Sequence, residues 1–192
     1  MSFQPEVVAV GGIGVMAFAS MQQLVDYIIH DDGSVFAGSA VAINPEKVMK
    51  ARQDPAIKTM LNSAELRYAD GMGVVKAMQK KLGRKVERVP GCETWEAIMY
   101  RAAAKQVPVF LVGAKPEVLQ QTRDKLSAAG VQVVGAQDGY FKDEAALLQQ
   151  IQQEQARRTD HQARAERRRT GRTQFMRRTQ QGFERISHQV GT

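Results

Sequence analysis

Short apolar runs alternate, along the first 155 residues, with longer stretches in which apolar residues recur at helical spacing. Several of the helical stretches begin at a proline, or behind a serine or aspartate, as helices commonly do. Alternating strands and helices of this length predict an α/β fold, Rossmann-like, with a parallel sheet and helices on both faces. The predicted strands are residues 7–10, 40–43, 66–69, 109–112 and 131–134.

The turn after the third predicted strand carries the strongest candidate for chemistry. Asp70 ends the strand, and Gly71 and Gly73 precede a helical pattern. At the carboxyl end of a parallel strand, Asp70 presents its carboxylate to the crevice where ligands bind, and there it can act as a general base. The structural alternative is that Asp70 caps the following helix.

Polar or glycine-rich turns also follow the other predicted strands. Because parallel strands end at one edge of a sheet, we expect these turns to lie near Asp70, which favours a binding site over a helix cap. The residues concerned are Asn44 after the second strand, Gly113 and Lys115 after the fourth, and Asp138, Tyr140 and Phe141 after the fifth.

A second glycine pattern, Gly12 to Ala17, fits the dinucleotide fingerprint G-x-G-x-x-A. That fingerprint requires a helix starting at the glycines and an acidic residue at the end of the next strand. Here the helix-capping residue is Ser20, and the second strand ends at Asn44. We therefore expect an irregular apolar segment, with nicotinamide or flavin binding as the alternative.

Charge divides the chain at about residue 155. Residues 1–155 contain 17 basic and 17 acidic side chains, whereas residues 156–192 contain 10 basic and 3 acidic ones. The net charge of +7 therefore belongs to the last segment. We expect a neutral globular domain of ordinary size followed by an Arg-rich, irregular and disordered tail. A basic arm for anionic lipid or nucleic acid is the alternative for the tail.

Metal, disulfide and targeting signals are weak. Cys92 is the single cysteine, and the three histidines have no paired spacing, so we expect neither a metal site nor an internal disulfide. Cys92 is expected to be inert, with a reactive thiol at a helix start as the alternative. The first apolar stretch is too short to span a bilayer and lacks preceding basic residues, which predicts a cytoplasmic protein.

Five segments resemble, in order, motifs of a family of bacterial inverting glycosyltransferases. Within the family, the resemblance is strongest to the branch that transfers N-acetyl-D-mannosaminuronic acid in enterobacterial common antigen synthesis; a sister branch transfers N-acetylmannosamine in teichoic acid synthesis. The segments are VAINPEK at 41–47, YADGMGVV at 68–75, RVPGCETWE at 88–96, PVFLVGAKPEV at 108–118 and QDGYFK at 137–142.

The resemblance implies a UDP-sugar donor and a GlcNAc acceptor carried on undecaprenyl diphosphate, at the cytoplasmic face of the inner membrane. It implies that Asp70, in the A-D-G turn, takes the proton of the acceptor hydroxyl and that Asn44 and Gly71 contact substrate. Gly113 and Lys115 are placed near the donor diphosphate. Asp138 and Tyr140 either shape the sugar pocket or hold their loop. No cofactor, no metal and no nucleic-acid partner are expected, and oligomerisation is left open.

Three departures from the family pattern bear on activity. Ala42 replaces a threonine of the sister branch, and Ala114 replaces a glycine. After residue 155 the strand, the loops and the arginine-bearing segment of the family are missing. We therefore expect residues 1–155 to be a truncated glycosyltransferase domain, incomplete at its carboxyl end, and residues 156–192 to be a disordered or out-of-frame tail. Such a chain is expected to transfer little or no sugar; the alternative is a noncatalytic remnant or an anion-binding module.

Overall fold

The structure, a computed structural model, describes residues 3–154, which fall into two units. The first unit contains residues 3–28 and 38–98, and the second contains residues 29–37 and 99–154. The predicted α/β class is confirmed, with helices packed around sheets in which parallel pairing predominates. The predicted Arg-rich tail, residues 156–192, lies outside the described residues.

The first unit is built on a four-stranded sheet with the order β1-β2-β4-β3. β4 pairs parallel with β2 and β3, whereas β1 and β2 pair antiparallel, so the sheet is mixed. The elements are β1 (Glu6–Val10), β2 (Ile13–Ala17), α1 (Met21–Ile28), β3 (Ala40–Ile43), α2 (Pro45–Gln53), α3 (Pro55–Ser63), β4 (Leu66–Ala69), α4 (Met72–Leu82) and the first part of α5 (Gly91–Ala104).

The second unit is built on two parallel strands, β5 (Val109–Val112) and β6 (Val133–Gln137). α6 (Pro116–Ala128) connects them, and a further helix, α7, covers residues 144–154. Leu147 and Ile151 of α7 pack against Phe110 and Val112 of β5 and form a small core. The sequence predicted β5 correctly, but β6 begins two residues later than expected and continues to Gln137.

The glycine pattern near the amino terminus forms a β-hairpin. Gly11 and Gly12 have φ angles of 61° and 85° and connect Val10 to its partner Ile13. Such positive angles suit a two-residue hairpin turn, because glycine adopts them without strain. The prediction of an irregular segment is therefore wrong. The dinucleotide fingerprint requires a helix after the glycines, but β2 follows them, so the sequence pattern no longer indicates dinucleotide binding.

The first unit's sheet is covered on both faces, as the sequence predicted. Side chains alternate between the two faces of a strand, so Val41 and Ile43 of β3 point one way and Ala42 points the other. Val41 and Ile43 are buried with Met78 of α4 in the main core. On the opposite face, Ala42 lies beside the start of α5, where a Cβ added to Gly91 would be 3.6 Å from the Ala42 Cβ.

Candidate active site

Asp70 directly follows β4, and its backbone continues the pairing with β3. Its N–H donates to the carbonyl oxygen of Ile43 at 3.0 Å. The next residue, Gly71, is the N-cap of α4, and that helix start has no side-chain capping hydrogen bond. The helix-cap alternative for Asp70 is therefore wrong. Its carboxylate is not used in capping, and a quarter of the side chain is exposed.

Arg88 is the partner of Asp70, a role that the sequence pattern did not predict. Its Nε donates to the Asp70 carbonyl oxygen at 2.7 Å, and its Nη2 lies 3.6 Å from Asp70 Oδ1. One guanidinium thus holds both the backbone and the carboxylate of the turn. Arg88 opens the RVPGCETWE motif, and that position was the signal in the sequence that could have identified it.

The second carboxylate oxygen of Asp70 faces the start of α5 at a glycine. A Cβ added to Gly91 would lie 3.6 Å from Asp70 Oδ2 and 3.8 Å from the Tyr68 hydroxyl. Both distances are ordinary van der Waals contacts. A side chain would therefore fit, but it would cover this side of the carboxylate. Glycine at position 91 keeps Oδ2 accessible.

Asn44 lies beside the Asp70 turn, as the sequence predicted for these two residues. It is the N-cap of α2, and its Oδ1 accepts a hydrogen bond from the Lys47 N–H at 2.9 Å. Pro45, the first residue of α2, packs so closely on Gly71 that a Cβ there would be 2.3 Å from the Pro45 Cδ. The Asn44 amide nitrogen has no hydrogen-bond partner within residues 3–154, so it is available to a ligand.

A half-buried lysine, for which the sequence pattern also predicted no role, adds a second cation near Asp70. Lys47 Nζ donates to the Ala42 carbonyl oxygen at 3.0 Å. Burial lowers the pKa of Lys47, whereas the negative charges of Asp70 and Glu46 act in the opposite direction. The Asp70 carboxylate thus belongs to a charge cluster with Arg88 and Lys47.

Tyr68 lies under this cluster on the same face of the sheet as Ala42, its register partner on β3. The side chain is 4 % exposed. Burial raises the pKa of the Tyr68 hydroxyl, and the charges of Asp70 and Cys92 raise it further. Tyr68 is therefore a neutral hydroxyl at ordinary pH, so the carboxylate of Asp70 is the better proton acceptor.

In the second unit, hydrogen bonds join the loops that follow β5 and β6. The Gly113 N–H donates to the Gln137 carbonyl oxygen at 2.8 Å, and the Gly139 N–H donates to that of Ala114 at 2.9 Å. Ala114 has a φ of 63°, a left-handed conformation that favours glycine. Ala114 therefore keeps the left-handed backbone conformation that glycine would adopt there, at a cost in strain energy. The Gly113 N–H is already used and is not available to a diphosphate.

The remaining predicted site residues lie around the same two loops. Lys115 is the N-cap residue of α6 and is exposed, and its ammonium has no partner within residues 3–154. Asp138 Oδ1 accepts a hydrogen bond from the Tyr140 N–H at 2.9 Å, so Asp138 holds the loop, and the Tyr140 ring is exposed. A cavity of about 240 Å³ is lined by Pro116, Leu119, Gln120, Arg123, Ala136, Gln137 and Asp138.

Residues 3–154 contain no group of three histidine, cysteine, aspartate or glutamate side chains that could hold a metal ion. None of their helices is long and apolar enough to cross a membrane.

Comparison with known protein families gives one match that covers most of the chain. A sequence model of the family described as "Glycosyl transferase WecG/TagA/CpsF family" matches residues 8–158. The match includes Asn44, Asp70 and Arg88 in the first unit and Lys115 and Asp138 in the second.

Proposed function

The chain belongs to the WecG/TagA/CpsF family of glycosyltransferases, which act in cell-envelope polysaccharide synthesis, and on this premise we propose that Asp70 is the general base of an inverting sugar transfer. The observation that carries the proposal is the environment of the carboxylate. Asp70 follows a parallel strand, is partly exposed, pairs with Arg88 and does not cap α4. A carboxylate held in this way can take a proton from a hydroxyl that approaches Oδ2.

The reaction transfers one glycosyl group. The acceptor hydroxyl oxygen forms a bond to the anomeric carbon of the donor while its proton moves to Asp70. The bond between that carbon and the phosphate oxygen breaks, and the nucleoside diphosphate leaves with the electron pair. Attack from the face opposite the leaving group inverts the anomeric configuration. Arg88 restrains the turn, so that the carboxylate is in place before the acceptor arrives.

Each predicted binding residue has a more specific role in this proposal. The Asn44 amide nitrogen donates to a hydroxyl of the acceptor, while its oxygen caps α2. Gly71 allows close contact with Pro45 and so brings the two turns together. Lys115 offsets the charge of the donor diphosphate through its ammonium. Gly113 supplies backbone conformation at a φ of 120° and donates no hydrogen bond to the donor.

We propose UDP-N-acetyl-D-mannosaminuronic acid as the donor and GlcNAc on undecaprenyl diphosphate as the acceptor. The product is then the second lipid intermediate of enterobacterial common antigen synthesis, made at the cytoplasmic face of the inner membrane. The support for this finer assignment is the resemblance of the five motifs to that branch of the family. A uronic acid donor carries an additional negative charge on its sugar, which distinguishes it from the N-acetylmannosamine donor of the sister branch.

A transfer assay with radiolabelled donor tests the proposal. The chain is incubated with lipid-linked GlcNAc and either UDP-N-acetylmannosaminuronic acid or UDP-N-acetylmannosamine. We expect slow transfer from the uronic acid donor, with release of UDP and an inverted linkage in the product by NMR. Transfer from N-acetylmannosamine alone would move the protein to the sister branch. Failure to bind UDP in isothermal titration calorimetry would instead support a noncatalytic remnant.

A further inference from the structure

Positive charge within the neutral part of the chain is concentrated in one short segment. Residues 76–88 contain six basic side chains and one acidic side chain, Glu87. All six basic residues are exposed, and we call them the basic strip. Because residues 1–155 are neutral in sum, the rest of this region carries the compensating negative charge. The basic strip consists of Lys76, Lys80, Lys81, Arg84, Lys85 and Arg88.

The segment that carries the basic strip begins and ends at the Asp70 turn. α4 starts immediately after Gly71, and the extended chain that follows α4 returns to the end of β4. There the Val89 N–H donates to the Ala69 carbonyl oxygen at 2.9 Å, and Arg88 contacts Asp70 as described above. The strip is therefore attached at both ends to the turn that holds the proposed base.

Buried residues hold the returning chain in place, so that its basic residues face solvent. Val86 and Val89 are almost fully buried, and Gln79 Nε2 donates to the Val86 carbonyl oxygen at 2.9 Å. Lys85 lies next to one of these anchors and is exposed. The exposed cations of the returning chain are thus carried on a fixed backbone.

Three cations of the strip have no partner in the part of the chain that the structure describes. Lys81 donates to the Ala9 carbonyl oxygen, and Arg84 pairs with Glu6, so both of these cations already have a partner on β1. In contrast, Lys76, Lys80 and Lys85 make no hydrogen bond or ion pair among residues 3–154. Like charges kept close together without partners raise the energy of the folded protein. An external anionic partner would relieve this repulsion.

An apolar side chain continues the line of cations toward the site. Met72, Lys76 and Lys80 are spaced four residues apart on α4, so they lie along one face over about 12 Å. Met72 is 51 % exposed, and it is the second residue after Asp70. Lysines followed by an exposed apolar residue fit a surface whose anionic layer covers an apolar interior.

We propose that the basic strip docks the protein on an anionic lipid bilayer, with Met72 at the headgroup layer and the Asp70 turn facing the membrane. The inference rests on the proposed function, because an acceptor carried on a lipid presents its sugar at such a surface. A nucleic acid fits less well, since residues 72–88 contain no aromatic side chain on which bases could stack.

Vesicle binding by two matched triple variants tests the proposal. The strip variant is Lys76→Gln/Lys80→Gln/Lys85→Gln, and the control, Arg52→Gln/Lys58→Gln/Lys125→Gln, removes the same charge from exposed positions elsewhere. Binding is measured by co-sedimentation with vesicles of phosphatidylglycerol and phosphatidylcholine, and with phosphatidylcholine alone. Residues 156–192 are identical in all variants, so their arginines contribute equally to every measurement.

We expect the strip variant to lose affinity for the anionic vesicles on the order of 100-fold, since each lysine near the surface contributes roughly 5-fold. The control variant should lose far less, and high salt should remove the difference. Equal losses in the two variants would mean that binding follows net charge, and would overturn the proposal. A strip variant that loses affinity for duplex DNA but keeps its affinity for vesicles would also overturn it.

The vesicle measurement uses neither donor nor acceptor, so it is independent of the transfer reaction. If the strip variant loses vesicle binding but the wild-type chain transfers no sugar, the docking surface stands and the proposed function fails. If transfer occurs but the two triple variants bind vesicles equally, the function stands and the docking surface fails.

Discussion

Replacing Asp70 with asparagine separates a role in catalysis from a role in folding. The carboxylate pairs with Arg88 at 3.6 Å, and half of the arginine side chain is exposed. A pair at this distance, with its arginine half exposed, contributes less than about 1 kcal/mol to stability. The stronger hydrogen bond, from Arg88 Nε to the Asp70 carbonyl oxygen, is unaffected by the substitution. We therefore expect the free energy of unfolding to fall by less than about 1 kcal/mol.

The rate of transfer should respond very differently. An asparagine at position 70 has a similar shape but cannot take the proton of the acceptor hydroxyl. Loss of a general base typically lowers the rate about 10²- to 10⁴-fold. Radiolabelled donor at high enzyme concentration allows even slow transfer to be compared between the wild-type chain and the variant.

Asp54→Ala is the matched control, since Asp54 is an aspartate that does cap a helix. Its Oδ1 accepts a hydrogen bond from the Ala56 N–H at 2.8 Å at the start of α3. Loss of an N-cap costs about 1 kcal/mol, or a few degrees in Tm for a protein of this size. We expect this variant to be less stable but to transfer sugar at the wild-type rate.

The opposite pattern would refute the reasoning. If Asp70→Asn transferred sugar as fast as the wild-type chain, Asp70 would not be the base. If it unfolded at a much lower denaturant concentration, by about 2 kcal/mol or more, its role would be structural. Chemical denaturation and the transfer assay, performed on the same three proteins, distinguish these outcomes.

Two further substitutions test the packing and the electrostatics of the site. Gly71→Ala places a Cβ 2.3 Å from the Pro45 Cδ, so the free energy of unfolding should fall by about 1–3 kcal/mol in chemical denaturation. Adding Pro45→Ala to this variant should recover part of the lost stability. If the effects of the two substitutions on stability were simply additive, the contact would be contradicted. Burial raises the pKa of Tyr68 above its ordinary value of 10.0. Above that pH the unfolded chain loses the phenolic proton while the folded protein keeps it, so stability should fall by at most about 1.4 kcal/mol per pH unit. Tyr68→Phe should remove this slope, and an unchanged slope would argue against a buried hydroxyl.

Local patterns were sufficient for much of the fold. The bounds of β3, β4 and β5 were predicted residue for residue, because each is a short apolar run of strand-forming residues with a turn behind it. The helix starts at Pro45, Pro55 and Pro116 were also correct, since proline in the first helical turn loses no hydrogen bond. β2 was missed because its glycine suggested irregular chain. The hairpin exists because β2 has β1 on one side and β4 on the other.

The sequence alone determined the α/β class and the family, and it selected Asp70 and Asn44 as neighbouring candidates. These conclusions depend on residue type and order, which are local properties of the chain. Arg88, Lys47 and Gly91 acquire their roles at Asp70 only through contacts between residues distant along the chain or on different elements. Only the tertiary structure decided between a helix cap and an ion pair for Asp70, because both use the same carboxylate and differ only in what folding brings next to it.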